Sequence, residues 1–195
     1  PIKLAENIRS LLGTSRVNIT RINQIYQTVE LKIDGFHIDI ARARKESYPM
    51  LGANPNIKPT SIEEDLCRRD FTLNSIALDL RTHKLIDCLH GRESIVNRKI
   101  QFIHSESAAE DPTRIIRAAR YAARLKFKLT SESLNQIKST IKLWPWVKSQ
   151  NNNSKYFPPA LSTRLQMELR VLLEIEENWC LATQYLQEWG ALTLI

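Results

Sequence analysis

The residues with the most chemical potential run from Glu110 to Leu125: Glu110-Asp111-Pro112-Thr113-Arg114-Ile115-Ile116-Arg117, then a stretch rich in alanine and arginine. A helix is expected here with an abrupt start, because Asp is a good N-cap and Pro112 fits the first helical position, where no N–H is needed. Alanines at 118, 119, 122 and 123 favour helix and permit close approach of a neighbour. On a 3.6-residue period Asp111, Arg114, Arg117, Tyr121 and Arg124 fall near one side. A carboxylate acceptor and a guanidinium donor one turn apart, with further cations behind them, suit a ligand that is polar at one end and anionic at the other. A nucleotide has that character. Two plainer readings stand beside this one: Asp111 acting as a cap, and the arginines forming a solvated face.

The chain that must position these residues has 195 amino acids, enough for one large domain or two small ones, and at 43% hydrophobic it can bury a core. No apolar run approaches the roughly 18–20 residues that span a bilayer, and no signal-peptide pattern opens the sequence. Lys and Arg number 28 against 21 Asp and Glu, for a net charge of +7. That mildly favours an anionic partner, although the basic residues are spread out rather than gathered in a tail. Cys67, Cys88 and Cys180 are odd in number and far apart. They match neither a zinc pattern nor a disulfide framework, so a reducing, cytoplasmic compartment is expected.

The N-terminal part reads as mixed α and β. Residues 2–12 have helical apolar spacing and end at Gly13. Val17–Thr20, Thr28–Ile33 and Phe36–Ala41 read as strands, with Asp34-Gly35 a hairpin turn between the last two. Alternation puts His37 and Asp39 on one face and Phe36, Ile38 and Ile40 on the other. Residues 42–60 read as a long polar loop. Ser61 opens a capping box with Glu64. Short strands are expected at 84–87 and 100–103. Beyond 110 the pattern is helical: a helix over 131–142 capped by Thr130 or Ser131, a break at Trp144-Pro145-Trp146 and 150–154, a helix over 160–178 with Leu161, Leu165, Leu169, Leu172 and Leu173 on one stripe, and a last helix from about 178 to Gly190. The expected fold class is α+β, a mixed or antiparallel sheet region over 1–103 followed by an all-helical part over 104–195.

Four stretches together resemble the class II tRNA nucleotidyltransferase and bacterial poly(A) polymerase family. Asp-x-Ala-x-x-Arg-x-Glu-x-Tyr is present as Asp39, Ala41, Arg44, Glu46 and Tyr48. Glu-Glu-Asp-Leu-x-Arg-Arg-Asp-Phe-Thr-x-Asn is present from Glu63 to Asn74, and Glu-Asp-x-x-Arg-x-x-Arg from Glu110 to Arg117. A weaker helical motif matches Ser162, Arg164, Leu165, Glu168 and Leu169.

The resemblance implies a polymerase-β-like nucleotidyltransferase head over 1–103, then a helical neck and the beginning of an RNA-binding body over 104–195. It implies template-independent transfer from CTP and ATP to the 3′ end of tRNA, adding CCA or A. A poly(A) polymerase and a non-catalytic RNA- or nucleotide-binding protein are the alternatives. Asp111 and Arg114 would read the Watson–Crick edge of cytosine or adenine, both of which offer an amino donor beside a ring acceptor, whereas guanine and uracil present a carbonyl there. Arg117 would support that pair or reach phosphate. Asp70 would meet the ribose 2′-OH, Arg69 or Arg68 the triphosphate, and Asn74 would hold the turn; ion pairing of Arg68 and Arg69 with Glu63, Glu64 or Asp65 is the plainer alternative. Asp39 is a candidate third carboxylate or a simple surface residue. Arg44 and Glu46 open a loop expected to be mobile.

The family's Gly-Gly-x-x-Arg-Asp and Asp-x-Asp segments, whose carboxylates hold two Mg²⁺ ions, occur nowhere in these residues. The chain begins at Pro1 and is expected to be a piece that starts after the metal-binding strand and stops early in the body. It should select nucleotides without performing the chemical step, because charge developing on the transferred phosphoryl group would lack its metal partners. The isolated chain is therefore expected to be inactive with tRNA lacking its 3′ end, labelled ATP and CTP, and Mg²⁺. Incorporation above background would contradict this.

Overall fold

In a computed structural model, which describes residues 1–143 and 159–195, the chain forms two compact units. The first comprises Pro1–Lys45 and Ile57–Asp65, the second Glu46–Asn56 and Leu66–Ile195. In the first unit, helix α1 (Ile2–Leu12) ends at Gly13, whose φ of 90° suits a residue without a side chain. Strands β1 (Val17–Asn23), β2 (Thr28–Ile33) and β3 (Phe36–Ala41) follow as an antiparallel meander. Asp34 and Gly35 both take positive φ, 47° and 91°, as a tight two-residue hairpin requires. Ala5, Val17, Val29 and Leu31 form a small core between α1 and the sheet. The cross-strand pair Glu30–Asp39 lies in register on the other, polar face.

The stretch 42–60, expected as a loop, contains two short strands instead, β4 (Arg44–Ser47) and β5 (Asn56–Pro59), which form a two-stranded sheet. Its prolines sit at the margins, Pro49 and Pro55 outside both strands and Pro59 at the end of one, so neither strand loses an interior donor. Helix α2 (Ile62–Cys67) begins where expected, with Ser61 Oγ accepting from the Glu64 N–H at 3.4 Å.

In the second unit, a 3₁₀ turn (Thr72–Asn74), the hairpin β6 (Ala77–Asp79) with β7 (Lys84–Ile86), and the short helix α3 (Gly91–Val96) lead to β8 (Lys99–Ile100). Helix α4 (Ser107–Glu110) has only one turn and was not expected; it immediately precedes α5 (Thr113–Leu125). Then come β9 (Lys128–Leu129), parallel to β8, and helices α6 (Ser131–Leu143), α7 (Pro159–Glu174) and α8 (Trp179–Glu188). The expected break at Trp144–Trp146 and 150–154 lies outside the described residues.

Helix α5 is the axis of this unit. Ile115, Ile116 and all four alanines are buried, so their small side chains do admit neighbours closely. Phe71 stacks on Phe102 at 5.4 Å and meets Tyr121 edge-on at 5.5 Å, tying the 71–74 turn to α5. On α7 the apolar stripe holds for Leu161, Leu165 and Leu172, but Leu173 is 55% exposed. Two adjacent leucines lie about 100° apart on a helix and cannot both face one core. Phe71, Ile100 and Phe102 thus share a hydrophobic core with the helices.

Gly91 opens α3 against the 71–76 turn. A Cβ there would lie 2.2 Å from the Thr72 carbonyl oxygen and 2.8 Å from Ile76. Gly91→Ala is expected to destabilise the protein by about 2–3 kcal/mol, since backbone must yield. A lowered urea midpoint would report it, and an unchanged midpoint would contradict it.

Candidate nucleotide-selecting site

The second unit brings together residues from four separated stretches: Glu46 and Tyr48, the 68–74 turn, the start of α5, and α7. The turn is built by its own side chains. Asp70 Oδ1 accepts from the Phe71 N–H at 3.1 Å and from Asn74 Nδ2 at 2.7 Å, while Asn74 Oδ1 accepts from the Phe71 N–H at 3.3 Å. Asp70 Oδ2 faces Arg117 Nε at 2.6 Å, a charge contact without an aligned hydrogen bond. Asp70 is itself buried.

Arg68 reaches a carboxylate distant in sequence. Its Nη1 donates to Glu46 Oε1 at 2.9 Å. That carboxylate is almost wholly buried, and the Tyr48 hydroxyl donates to its other oxygen at 3.3 Å. Burial pushes the Tyr48 hydroxyl well above its ordinary pKa; Arg114 pulls it down, and Glu46 and Asp111 push it further up. Tyr48 therefore lies within electrostatic reach of both Asp111 and Arg114.

Asp111 behaves as a cap. Its Oδ1 accepts from the Thr113 N–H at 3.2 Å and the Thr113 hydroxyl at 2.7 Å. Arg114 is only 6% exposed and turns inward. Its Nη1 donates to the Ser107 carbonyl at 3.2 Å and hydroxyl at 2.7 Å, and its Nη2 to the Arg68 carbonyl at 3.0 Å. Both terminal nitrogens are thereby engaged, and Nε is not among the donors used. The plainer reading of Asp111 is thus observed, whereas Arg114 is buried and not part of a solvated face.

Behind Arg114 the cations continue in alternation with carboxylates. Arg117 approaches Glu168 at 3.7 Å, and Arg120 pairs with the same Glu168 at 2.6 Å. Arg124 and Arg120 both reach Glu176, which is buried. Burial pulls against the charge on Arg117, but Asp70 and Glu168 outweigh it and hold the guanidinium above its ordinary range. Arg164 on α7 donates to the carbonyls of Gly52 at 2.8 Å and Ala53 at 3.2 Å and to Asn54 Oδ1 at 3.2 Å, and it stands 3.7 Å from Asp111. Arg164 thereby links α7 to the backbone at Gly52 and Ala53.

Arg120 and Glu176 escaped the sequence reading. The signal was available for Arg120, which continues the three-residue spacing of Arg114 and Arg117. Glu176 lies past the end of α7, where no periodicity marks it. Asp39 and Arg44 belong to the first unit. Asp39 is exposed on β3, and Arg44 donates its backbone N–H to Asp65 at 2.9 Å and stacks over Tyr26 at 5.1 Å.

Among the described residues no three His, Cys, Asp or Glu come close enough to hold a metal ion. Asp70 has its oxygens committed to the turn and to Arg117. These donors do not fit a divalent ion, and no catalytic step is assigned through one. Nor is any described helix long and apolar enough to cross a membrane.

The Poly A polymerase head domain, as a sequence family, matches residues 3–101. The chain belongs to the family of poly(A) polymerases and tRNA nucleotidyltransferases. It is 40% identical over 121 residues to an A-adding tRNA nucleotidyltransferase of Aquifex aeolicus, covering 60% of this chain and 15% of that protein. It is 36% identical over 165 residues to a CC-adding tRNA nucleotidyltransferase of Deinococcus radiodurans, covering 83% of this chain and 40% of that protein. Among solved structures it is similar to a tRNA-processing enzyme with CTP, at a TM-score of 0.78 and 28% identity, covering all of this chain and 46% of that one. A tRNA nucleotidyltransferase complexed with a primer tRNA and an incoming ATP analogue gives 0.77 and 29%, over 98% of this chain and 49% of that one. The chain thus spans less than half the length of these relatives.

The hydrogen bond from Arg124 holds Glu176 below the ordinary carboxylate pKa of 4.5, and the charges of Arg124 and Arg120 reinforce it against burial. The unfolded chain therefore takes up this proton at higher pH than the folded one. The stabilisation is complete above the unfolded value and is lost as pH falls through the folded one. Glu176→Gln is expected to lower the urea midpoint at pH 7 and to flatten its decline between about pH 5 and 3. An identical pH profile in variant and parent would contradict this.

Proposed function

We propose that this chain is the nucleotide-selecting part of an enzyme that extends the 3′ end of tRNA, without a template, using CTP and ATP. The observation that carries the reading is the placement of Asp111 and Arg114 one turn apart, with Arg114 bonded to the first residue of the 68–74 turn. Asp111 retains Oδ2 outside its capping bonds, and Arg114 retains Nε outside the bonds of its terminal nitrogens. A carboxylate oxygen and a guanidinium N–H together complement the amino group and ring acceptor shared by cytosine and adenine. The names of the relatives, A-adding and CC-adding, support the same substrates.

In this reading Asp70 and Asn74 shape the turn beneath the ribose, Arg117 balances Asp70, and Arg68 or Arg69 faces the triphosphate. Glu46, through its bond to Arg68, borders the site. Residues 1–103 form the head, a span close to the matched 3–101, and 104–195 the neck and the start of the body. The enzyme uses Mg²⁺ for transfer, with ligands other than the residues described here, and the three exposed free cysteines suit a cytoplasmic setting.

Asp111→Asn tests this most cleanly, because an amide oxygen can still cap Thr113 while the negative charge is lost. Calorimetric titration of the chain with the four nucleoside triphosphates should show CTP and ATP preferred. That preference should shrink about tenfold in the variant, the loss expected for one misread polar edge. A preference unchanged by the substitution would defeat the assignment.

A further inference from the structure

The net positive charge has a second centre, away from the paired arginines. Strands β8 and β9 border a cavity of about 810 Å³ whose lining includes Arg98, Lys99, Lys126 and Lys128, with Glu132 the sole carboxylate. All four cations are exposed. None makes an ion pair with a described carboxylate within 4 Å, unlike the arginines of α5.

The strand register makes this arrangement costly. In the parallel pair Lys99 stands beside Lys128 and Ile100 beside Leu129. Ile100 is buried in the core, so alternation sends Lys99 and Lys128 outward together. Like charges directly opposite on a sheet destabilise it. Arg98 and Lys126 add to the same field from left-handed turns just before each strand, at φ of 53° and 56°. Glu132 offsets one charge of the four and interacts with Lys99. Such a cluster is best relieved by an anion with several charges. The lining contains no aromatic side chain, so it offers no platform on which a base could stack.

We propose that this cavity binds the phosphodiester backbone of RNA, independently of sequence, through Arg98, Lys99, Lys126 and Lys128. The choice of RNA rests on the reading given under Proposed function; the choice of phosphate rests on the cavity alone. The site is separate from Asp111 and Arg114, so it adds grip on a polynucleotide and plays no part in choosing the nucleotide.

The test is fluorescence anisotropy of the whole chain with a labelled RNA duplex of about 20 base pairs, from about 50 to 300 mM KCl. Lys126→Gln with Lys128→Gln, both exposed and outside the core, should weaken binding about tenfold at about 100 mM KCl. The slope of log affinity against log salt should fall by roughly one to two, near one for each phosphate that is no longer neutralised. Arg98→Gln with Lys99→Gln should act in the same way. Affinity for CTP should stay unchanged in all four substitutions. Equal RNA affinity and equal slope in variants and parent would overturn the proposal. So would tripolyphosphate binding that the substitutions abolish while RNA affinity is preserved, which would assign the cavity to a small polyanion. If Asp111→Asn leaves nucleotide preference unchanged but the salt slope still falls here, only the nucleotide-selecting reading fails.

Discussion

The second unit depends on one buried contact, the guanidinium of Arg114 between Ser107 and the Arg68 carbonyl. It joins the one-turn α4, the start of α5 and the 68–74 turn, and the turn is remote in sequence from the two helices. An isolated cation in such a place would be expensive to desolvate, so the surroundings must supply acceptors. They do so with a hydroxyl and two carbonyls, and Glu110 lies at 3.9 Å. The geometry of the turn that carries Asp70 follows from this contact, because Arg114 holds the backbone immediately before it.

The rest of α5 repeats the solution with charges. Arg117, Arg120 and Arg124 alternate with Asp70, Glu168 and Glu176, so a row of cations along one helix is neutralised by acids from the turn, from α7 and from the segment after α7. Partly buried ion pairs of this kind contribute modestly to net stability relative to apolar packing, yet removing one member leaves the other uncompensated. Their effect is to fix register: α7 can slide along α5 only by breaking both the Glu168 and Glu176 pairs. That matters for a site whose parts come from four stretches of chain.

Much of this was legible in the sequence, and the misses have physical causes. Helix α1, the meander and the Asp34-Gly35 turn follow from local rules, where period and turn chemistry agree. Asp111 as a cap followed from its residue type. The strands within 42–60 were hidden because each is four residues long and their pairing is nonlocal. The inward turn of Arg114 was hidden for the opposite reason: a helical wheel places an arginine on a face but does not say what covers that face. Its partners, Ser107 and the Arg68 carbonyl, carry no sequence mark, since a hydroxyl and a backbone oxygen are available almost anywhere.

Pairing also determines where the surplus charge resides. Along α5 each of these arginines has an acidic or carbonyl partner, so that helix presents little uncompensated field despite its composition. The cations near β8 and β9 make no ion pair within 4 Å among the described residues and share one carboxylate, Glu132, and the strand register forces two of them side by side. Composition alone treats both groups as equal contributors to +7. Their surroundings separate them: the internally neutralised arginines build the framework, and the unneutralised residues dominate the field that a distant polyanion would meet. For a chain of this family, the basic residues most conspicuous in the motifs need not be the ones that attract RNA.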